Sequence, residues 1–479
     1  MATPEAGGGI ERRTIDVIPA GERHGTTRSQ FTLWFGANMQ ITAIVDGALA
    51  VVFGADALWA IIGLLLGNVF GGAVMALHSA QGPRLGLPQM ISSRAQFGVY
   101  GAALPLVLVV VMYIGFAATG TVLAGQAINN VLHVDAPAVG ILIFGGLTAV
   151  ATTVGYRFIH VVGRVATVVG IIGFTYLGLR LIADYDVSAV FGVRGFEAAT
   201  FLLAVSLGAG WQLTFGPYVA DYSRYLPADT PEKATFWSTF LGSVLGSQWA
   251  MTLGVVVASL PVSAGGIDFL TNQVGFMGDL AGGGAIALLI YLVIVVGKLA
   301  VNSLNAYGGF MTMLTVVSGF ARMREVSAAA RVLYISLFLG TSVVIAVFAS
   351  ADFLDNFKNF VLALLMVFTP WSAINLTDYY LVSKERVDVP ALYDPKGRYG
   401  AWNATALGCY VLGVVAQIPF LAQKLYTGPV TEALGGADIS WIVGLIFTAA
   451  VYYPLAKRTS NPPSAMILPG PAPVSAPVG

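Results

Sequence analysis

Residues 208–227 read GAGWQLTFGPYVADYSRYLP, and the interruption within them indicates the architecture of the whole chain. It begins as an apolar helix, but Gly210, Gly216 and Pro217 interrupt the helical pattern before a membrane has been crossed. A proline inside a helix removes a backbone donor and clashes with the preceding turn, and hydrocarbon offers no water to satisfy the freed groups. Such an interrupted span has to face a cavity, which is how many secondary transporters build a substrate site near the bilayer midplane.

The composition is that of a polytopic membrane protein. Of the 479 residues, 57% are hydrophobic and 10% are charged, and the mean hydropathy is +0.79; a soluble domain carries about 25% charged residues. The formal net charge is zero, so no nucleic-acid partner is expected. The single cysteine, Cys409, excludes an internal disulfide and a cysteine metal cluster. With only four histidines as well, we expect neither an enzyme nor a bound metal or cofactor.

Apolar runs long enough to cross about 30 Å of hydrocarbon predict an all-α protein with twelve transmembrane helices. They cover residues 31–53, 58–78, 102–132, 139–155, 160–183, 198–219, 236–260, 284–317, 331–349, 357–381, 403–423 and 438–456. Lysine and arginine accumulate in cytoplasmic loops. With the N-terminus inside, nineteen of the 24 lie on the cytoplasmic side. We therefore expect a multi-pass protein of the plasma (inner) membrane with a cytoplasmic tail at 1–30 and a disordered cytoplasmic tail at 457–479.

An internal repeat is indicated by two Phe-Gly segments. Residues 34–38 (WFGAN) resemble residues 214–218 (TFGPY), 180 positions later, and each lies in a span that becomes polar around it. The two segments are five spans apart, an odd number, so the second copy would be inverted in the membrane. The pattern predicts one repeat of five helices at 31–183, a second at 198–381, and two additional helices at 403–456.

The eighth predicted span carries polar groups on one face. Lys298, Asn302 and Asn305 recur at i, i+4 and i+7. An intramembrane cation costs on the order of 3 kcal/mol or more and needs a partner or water. Asp46, the deepest carboxylate in the chain, is a natural partner for Lys298, either in a structural ion pair or as a proton carrier. The two asparagines are candidate ligand contacts, although interhelical hydrogen bonding would also explain them.

Aromatic and amide side chains mark the other polar spans. Phe116 lies in the third span, and Trp211 and Phe215 follow each other at i and i+4 in the sixth. Aromatic packing or lipid contact would explain these rings, but together with amides they suit a flat, hydrogen-bonding heteroaromatic ligand. The accompanying amide side chains are Asn38, Gln40 and Gln212. A small heterocycle and the lipid bilayer are therefore the expected partners.

Two motifs connect the chain to a known family. Residues 82–101 (GPRLGLPQMISSRAQFGVYG) and 217–227 (PYVADYSRYLP) resemble signatures of the nucleobase:cation symporter family 1, in its cytosine and purine permease branch. The resemblance implies a LeuT-like fold of twelve helices, ten of them in two inverted repeats of five, with helices one and six broken. It also implies import of a nucleobase or related heterocycle, coupled to Na⁺ or H⁺, by alternating access.

The resemblance implies roles for individual residues. By position, the substrate-stacking aromatic of helix three falls on Phe116. The polar residue one turn later falls on Gly120, which removes an amide contact. The aromatic of helix six falls on Trp211 or Phe215, and both remain open. The asparagine of helix eight that hydrogen-bonds the base falls on Asn305, beside Asn302.

Coupling to protons is expected because the sodium ligands of the family are missing. Members that use sodium have hydroxyl residues five and six positions before the helix-eight asparagine, where this chain has Ala300 and Leu299. Lys298 adds a positive charge beside them, so either Lys298 or Asp46 is expected to carry a proton. The alternative is a sodium site formed near Ala37, Gln40, Ala300 and Ser303.

Other functions remain open at this stage. The substrate could be a hydantoin, allantoin, a nucleoside, or a vitamin such as thiamine or pyridoxine, and a channel with the same fold is a further possibility. The polar residues of the 82–101 loop, with Asp221, Tyr222 and Arg224, are expected to hold the inner ends of the helices together rather than to bind substrate.

Overall fold

A computed structural model describes residues 16–154, 156–260, 267–320 and 327–469. Within these ranges the regular structure is almost entirely helical, with one short antiparallel pair, β1 (Ala422–Gln423) and β2 (Tyr426–Thr427). The helices are α1 (Thr27–Asn38), α2 (Ile41–Val52), α3 (Ala57–Leu85), α4 (Gln89–Ser92), α5 (Arg94–Phe97), α6 (Ala103–Leu132), α7 (Pro137–Val154), α8 (Tyr156–Asp184), α9 (Ala198–Leu213), α10 (Ala220–Ser223), α11 (Glu232–Ser259), α12 (Gln273–Leu280), α13 (Gly284–Phe320), α14 (Ala328–Ala349), α15 (Phe353–Leu376, extended by a π-helix over Thr377–Val382), α16 (Ala404–Gln417), α17 (Pro429–Ala433) and α18 (Ser440–Thr459).

The long helices have the dimensions of membrane spans. In the described part of the chain, seven helices are long and apolar enough to cross a bilayer, or eight if α1 and α2 count as one bent span. Three shorter apolar helices belong to α7, α9 and α16. Each predicted span overlaps one of the described helices or the α1–α2 pair. The protein is therefore a multi-pass membrane protein of the all-α class.

Two of the predicted spans are not continuous helices. α1 ends at Asn38 and α2 begins at Ile41, and the two axes differ by 60°. α9 ends at Leu213, and a series of turns over 214–219 leads to the short α10. Gly216 and Pro217 lie in those turns, so backbone that cannot continue an α-helix coincides with the interruption that the sequence pattern predicts.

Glycines bring the interrupted spans close to their neighbours. A Cβ atom at Gly47 of α2 would meet the backbone of Met251, and one at Gly254 of α11 would meet the carbonyl of Ile44. Small residues allow helices to pack backbone against backbone in a membrane. α2 therefore packs tightly on α11, while Gly67 of α3 makes a similar approach to α9.

The C-terminal tail differs from the sequence prediction. Residues 457–479 are predicted to be disordered, yet α18 continues to Thr459. Beyond it, the Ile467 N–H donates to the Val387 carbonyl and the Val389 N–H donates to the Ile467 carbonyl, both at 2.9 Å. The structure thus corrects the prediction for 457–469, because a distant loop supplies these hydrogen bonds; residues 470–479 lie outside the described ranges.

Candidate functional site

The two interrupted spans meet at Asn38 and Trp211. The indole Nε1 of Trp211 donates to Asn38 Oδ1 at 2.6 Å, and Asn38 Nδ2 donates to the Trp34 carbonyl at 2.7 Å. Asn38 is the last residue of α1, and Trp211 lies in the last turn of α9. A single indole–amide hydrogen bond therefore joins the ends of the two helices.

Phe116 of α6 lies opposite this junction. Its ring centroid is 6.1 Å from that of Trp211, with the planes at 89°, and 5.2 Å from that of Phe360 on α15. Trp211 is 2% exposed and Phe215 is 8% exposed, whereas Phe116 is half-buried. Phe116 is thus the most accessible of the three rings. A flat ligand stacked on it would lie perpendicular to the Trp211 indole.

A layer of aromatic rings lies on the side of α10. The Trp34 centroid lies 5.3 Å from Phe215 and 5.5 Å from Tyr222, and Tyr113 lies 5.4 Å from Tyr218. The sequence interpretation did not place Trp34, Tyr218 or Tyr222 at the site. The spacing of four residues between Tyr218 and Tyr222 was the available signal in the sequence, since it puts both side chains on one face if the segment is helical.

Asn302 occupies the space that a side chain at position 120 would fill. Asn302 Nδ2 donates to the Ala117 carbonyl at 2.9 Å and to Thr121 Oγ1 at 3.0 Å, which fixes the orientation of the amide. A Cβ atom at Gly120 would meet Asn302 Oδ1. The side-chain amide of α13 is therefore held directly against α6 at this position.

Unpartnered polar atoms on α13 lie next to this contact. Asn302 Oδ1, Asn305 Nδ2 and Ser303 Oγ are buried and have no hydrogen-bond partner among the residues that the structure describes. Leaving a buried donor or acceptor unpaired costs about 1–3 kcal/mol. An acceptor and a donor on the same helix are thus available to a ligand or to water.

Lys298 does not pair with Asp46. Its Nζ donates to Gln40 Oε1 at 2.8 Å and to Thr42 Oγ1, while in the described part of the chain neither carboxylate oxygen of Asp46 has a hydrogen-bond partner. The ion pair of Lys298 with Asp46 that the sequence predicts does not form. Gln40 and Thr42 lie at the interruption itself, whereas Asp46 lies one turn further along α2. The ammonium therefore lies at the interruption of the first span.

The alternative sodium position is partly occupied by protein contacts. Gln40 Nε2 donates to the Ala37 carbonyl at 3.0 Å, and Gln40 Oε1 already accepts from Lys298. Ala300 is 4% exposed and offers no side-chain ligand, so the unpartnered hydroxyl of Ser303 is the remaining free side-chain oxygen of the four residues. An ammonium within this set disfavours a second cation by direct repulsion.

Gln212 faces away from the aromatic pair. Its Nε2 donates to Asn68 Oδ1 at 3.0 Å and to Ser247 Oγ at 2.7 Å, and its Oε1 accepts from Ser243 Oγ at 2.7 Å. The amide is thereby engaged with α3 and α11. It anchors α9 near the interruption, and no free donor remains to support the expectation that Gln212 contacts substrate.

The polar loop between α3 and α6 makes structural contacts. The Gln89 N–H donates to Asp221 Oδ1 at 2.8 Å, which ties the loop to α10. Arg94, which is 2% exposed, donates to the carbonyls of Thr315 at 2.9 Å and Leu392 at 3.3 Å. Burial lowers the pKa of the Arg94 guanidinium, and these carbonyls compensate part of the lost hydration. The contacts match the supporting role expected of this loop.

Comparison with known proteins identifies one family. A sequence profile described as "Permease for cytosine/purines, uracil, thiamine, allantoin" matches residues 17–444. YxlA of Bacillus subtilis, a candidate purine-cytosine permease, is 38% identical over 453 residues, which cover 94% of this chain and 96% of YxlA. The purine-cytosine permease fcyB of Emericella nidulans is 27% identical over 459 residues, which cover 92% of this chain and 87% of fcyB.

Solved structures share the fold. The inward-facing conformation of Mhp1 has a TM-score of 0.74 at 20% identity, covering 95% of this chain and 94% of Mhp1. A closed conformation of Mhp1, a nucleobase-cation-symport-1 family transporter with bromovinylhydantoin bound, has a TM-score of 0.68 at 19% identity, covering 94% of this chain and 96% of Mhp1. The chain therefore has an all-α, LeuT-like fold.

Proposed function

The chain belongs to the family of permeases for cytosine and purines, uracil, thiamine and allantoin, and we propose that it imports cytosine, a purine or a related heterocycle by proton-coupled symport. Membership of this family makes it a transporter rather than an enzyme. The observation that carries the proposal is a pair of buried amide atoms on α13, Asn302 Oδ1 and Asn305 Nδ2, that have no partner among the described residues, with the Asn302 amide bonded to the carbonyl of Ala117, the residue after Phe116.

The chemistry of these groups favours a nucleobase. A flat ring stacked on an aromatic side chain gains apolar contact over the area of the ring, with a preference for an offset geometry. Asn302 Oδ1 requires a donor and Asn305 Nδ2 requires an acceptor. The edge of a nucleobase carries both, whereas a ring that only donates or only accepts leaves one protein atom unpaired at a cost of about 1–3 kcal/mol.

Lys298 is proposed as the proton carrier, with Asp46 as the alternative carboxyl carrier. The Lys298 ammonium hydrogen-bonds Gln40 and Thr42 at the interruption of the first span, so it supplies a cation at the place where the two helix halves meet. Loss of its proton would weaken both bonds and free the start of α2 to move relative to α13. A free cation such as Na⁺ is then not needed at this position.

The proposal includes the membrane arrangement. Twelve spans would form two inverted repeats, at 31–183 and 198–381, with both termini on the cytoplasmic side of the plasma (inner) membrane. The interruptions between α1 and α2 and between α9 and α10 support this arrangement, since they lie at corresponding positions of the two repeats. Alternating access would expose the site between them first to the outside and then to the cytoplasm.

A sodium-coupled importer of another heterocycle is the second candidate. Allantoin and thiamine occur in the family description, a hydantoin is bound in Mhp1, and nucleosides or pyridoxine have comparable ring systems. The unpartnered hydroxyl of Ser303 favours it, because a hydroxyl oxygen is a suitable sodium ligand. Competition by unlabelled allantoin, hydantoin, thiamine, pyridoxine and nucleosides separates this candidate from a nucleobase permease.

Uptake by an asparagine variant tests the proposal. Asn305→Ala is expected to lower initial uptake of radiolabelled cytosine or hypoxanthine by about tenfold or more, because a hydrogen bond to a buried ligand is lost. The measurement uses cells without nucleobase permeases of their own, with membrane expression measured on tagged protein. Asn461→Ala, an exposed residue of the tail, is the matched control. Unchanged uptake by a normally expressed Asn305→Ala would refute the assignment.

A further inference from the structure

We propose that Asn38 is a positioning residue that fixes the Trp211 indole as a wall of the substrate site without touching the substrate itself. This inference rests on the proposed function, because it takes Trp211 to line the site. It gives Asn38 a different role from the direct ligand contact that its sequence position suggests.

The orientation of the Asn38 amide is unambiguous. An indole N–H can only donate and a backbone carbonyl can only accept. The atom 2.6 Å from Trp211 Nε1 is therefore Oδ1, and the atom 2.7 Å from the Trp34 carbonyl is Nδ2, which also donates to Ser243 Oγ at 3.1 Å. Both amide protons are used, and Asn38 is 0% exposed. It has no donor left for a ligand, and rotating the amide by half a turn would break the bonds to Trp211 and to the Trp34 carbonyl.

A hydrogen-bonded network holds Asn38 from behind. Ser243 Oγ donates to Gln212 Oε1 at 2.7 Å, and Gln212 Nε2 donates to Asn68 Oδ1 at 3.0 Å. The chain of bonds thus runs from α9 through α1 and α11 back to α9, and then to α3. Fully satisfied buried networks rigidify the groups they contain. Asn38 is consequently a fixed acceptor for the indole.

The indole needs such a restraint. Trp211 lies two residues before the end of α9, next to the turns over 214–219. Its aromatic neighbours Phe116 and Phe215 both meet it at 89°, with centroids 6.1 Å and 5.8 Å away. Perpendicular contacts of this kind do not determine where the N–H edge points. The hydrogen bond to Asn38 fixes the direction of the N–H edge, and it therefore sets the angle of the Trp211 indole opposite Phe116.

A double-mutant cycle tests the role of Asn38. The four proteins are wild type, Asn38→Leu, Trp211→Phe and the double variant, and the readouts are KM and maximal rate of [³H]cytosine and [³H]hypoxanthine uptake in proteoliposomes. Each single variant should raise KM about tenfold with a maximal rate within about twofold of wild type. The double variant should be no worse than Trp211→Phe alone, because a ring without an N–H leaves Asn38 nothing to orient. If Asn38 contacts the substrate, the two effects multiply instead, and the proposal is overturned.

Two additions keep the test decisive. Ser243→Ala loosens Asn38 without removing it, so KM should rise about threefold in the wild-type background and stay unchanged in the Trp211→Phe background; this variant serves if Asn38→Leu does not fold. Resonance Raman difference spectra between wild type and Trp211→Phe isolate the indole N–H hydrogen bond, which Asn38→Leu should weaken. Wild-type protein that takes up neither base would refute the proposed function, while an unchanged indole band would refute the positioning role independently of transport.

Discussion

Gly120 leaves the space in which the Asn302 amide crosses from α13 to α6. Gly120→Ala places a methyl group against Asn302 Oδ1, and overpacking of this kind costs about 1–3 kcal/mol. We therefore expect KM for [³H]cytosine uptake to rise about tenfold, with normal membrane expression. Gly146→Ala on α7 is the matched control, because no described atom lies within 4 Å of a Cβ at that glycine. An unaltered KM for Gly120→Ala would show that the position of Asn302 does not matter for binding.

At the same residue scale, the sequence predicts which polar side chains need an explanation but not which partners they find. Lys298 and Asn302 stand out because a charge or an amide in an apolar span is costly. Lys298 nevertheless donates to Gln40 and Thr42, and not to Asp46, because the interruption after Asn38 brings the start of α2 to the ammonium. Such contacts depend on the angle between two helix axes, which no residue pattern specifies.

Helix pairs depend on the glycines between them. Gly254 of α11 lies against the Ile44 carbonyl of α2, so Gly254→Val would force the two helices apart. We expect the melting temperature of the purified protein to fall by several degrees, in line with an overpacking cost of about 1–3 kcal/mol. Gly340→Val on α14, where nothing lies within 4 Å of the Cβ, should melt like wild type. Equal melting temperatures for the two variants would contradict the close packing of α2 on α11.

The elements themselves follow from the sequence to different degrees. Continuous spans such as α3 and α6 were predictable because an apolar run of their length has few alternatives to a membrane helix. The interruption near Gly216 and Pro217 was predictable from backbone chemistry. The order in the tail was not, since Ile467 gains its hydrogen bonds from the loop at Val387 and Val389, far away in the chain. Long-range pairing of this kind leaves no local signal.

At the scale of the whole molecule, α12 is attached to the end of α6 by amide pairs. Asn130 and Asn272 exchange two hydrogen bonds, at 3.2 and 3.0 Å, and Gln126 Nε2 donates to Gln273 Oε1 at 2.8 Å. If alternating access opens this end, a covalent link should stop it. We expect a cross-link between cysteines at 130 and 272, in a Cys409→Ala background, to lower uptake about tenfold or more and reductant to restore it. Each single-cysteine variant is a control, and full transport by the cross-linked protein would mean that α12 does not move.

We propose that Lys298 couples import to protons, and accumulation of [³H]cytosine or [³H]hypoxanthine in proteoliposomes distinguishes this coupling from coupling to sodium. An acidic exterior without Na⁺ should drive accumulation of the base, and an uncoupler should abolish that accumulation. Lys298→Met should also abolish accumulation. Counterflow of labelled for unlabelled base should continue in this variant, because the Phe116 and Asn302 contacts remain. Accumulation that requires a Na⁺ gradient and ignores the pH gradient, or pH-driven accumulation that survives Lys298→Met, would contradict the account.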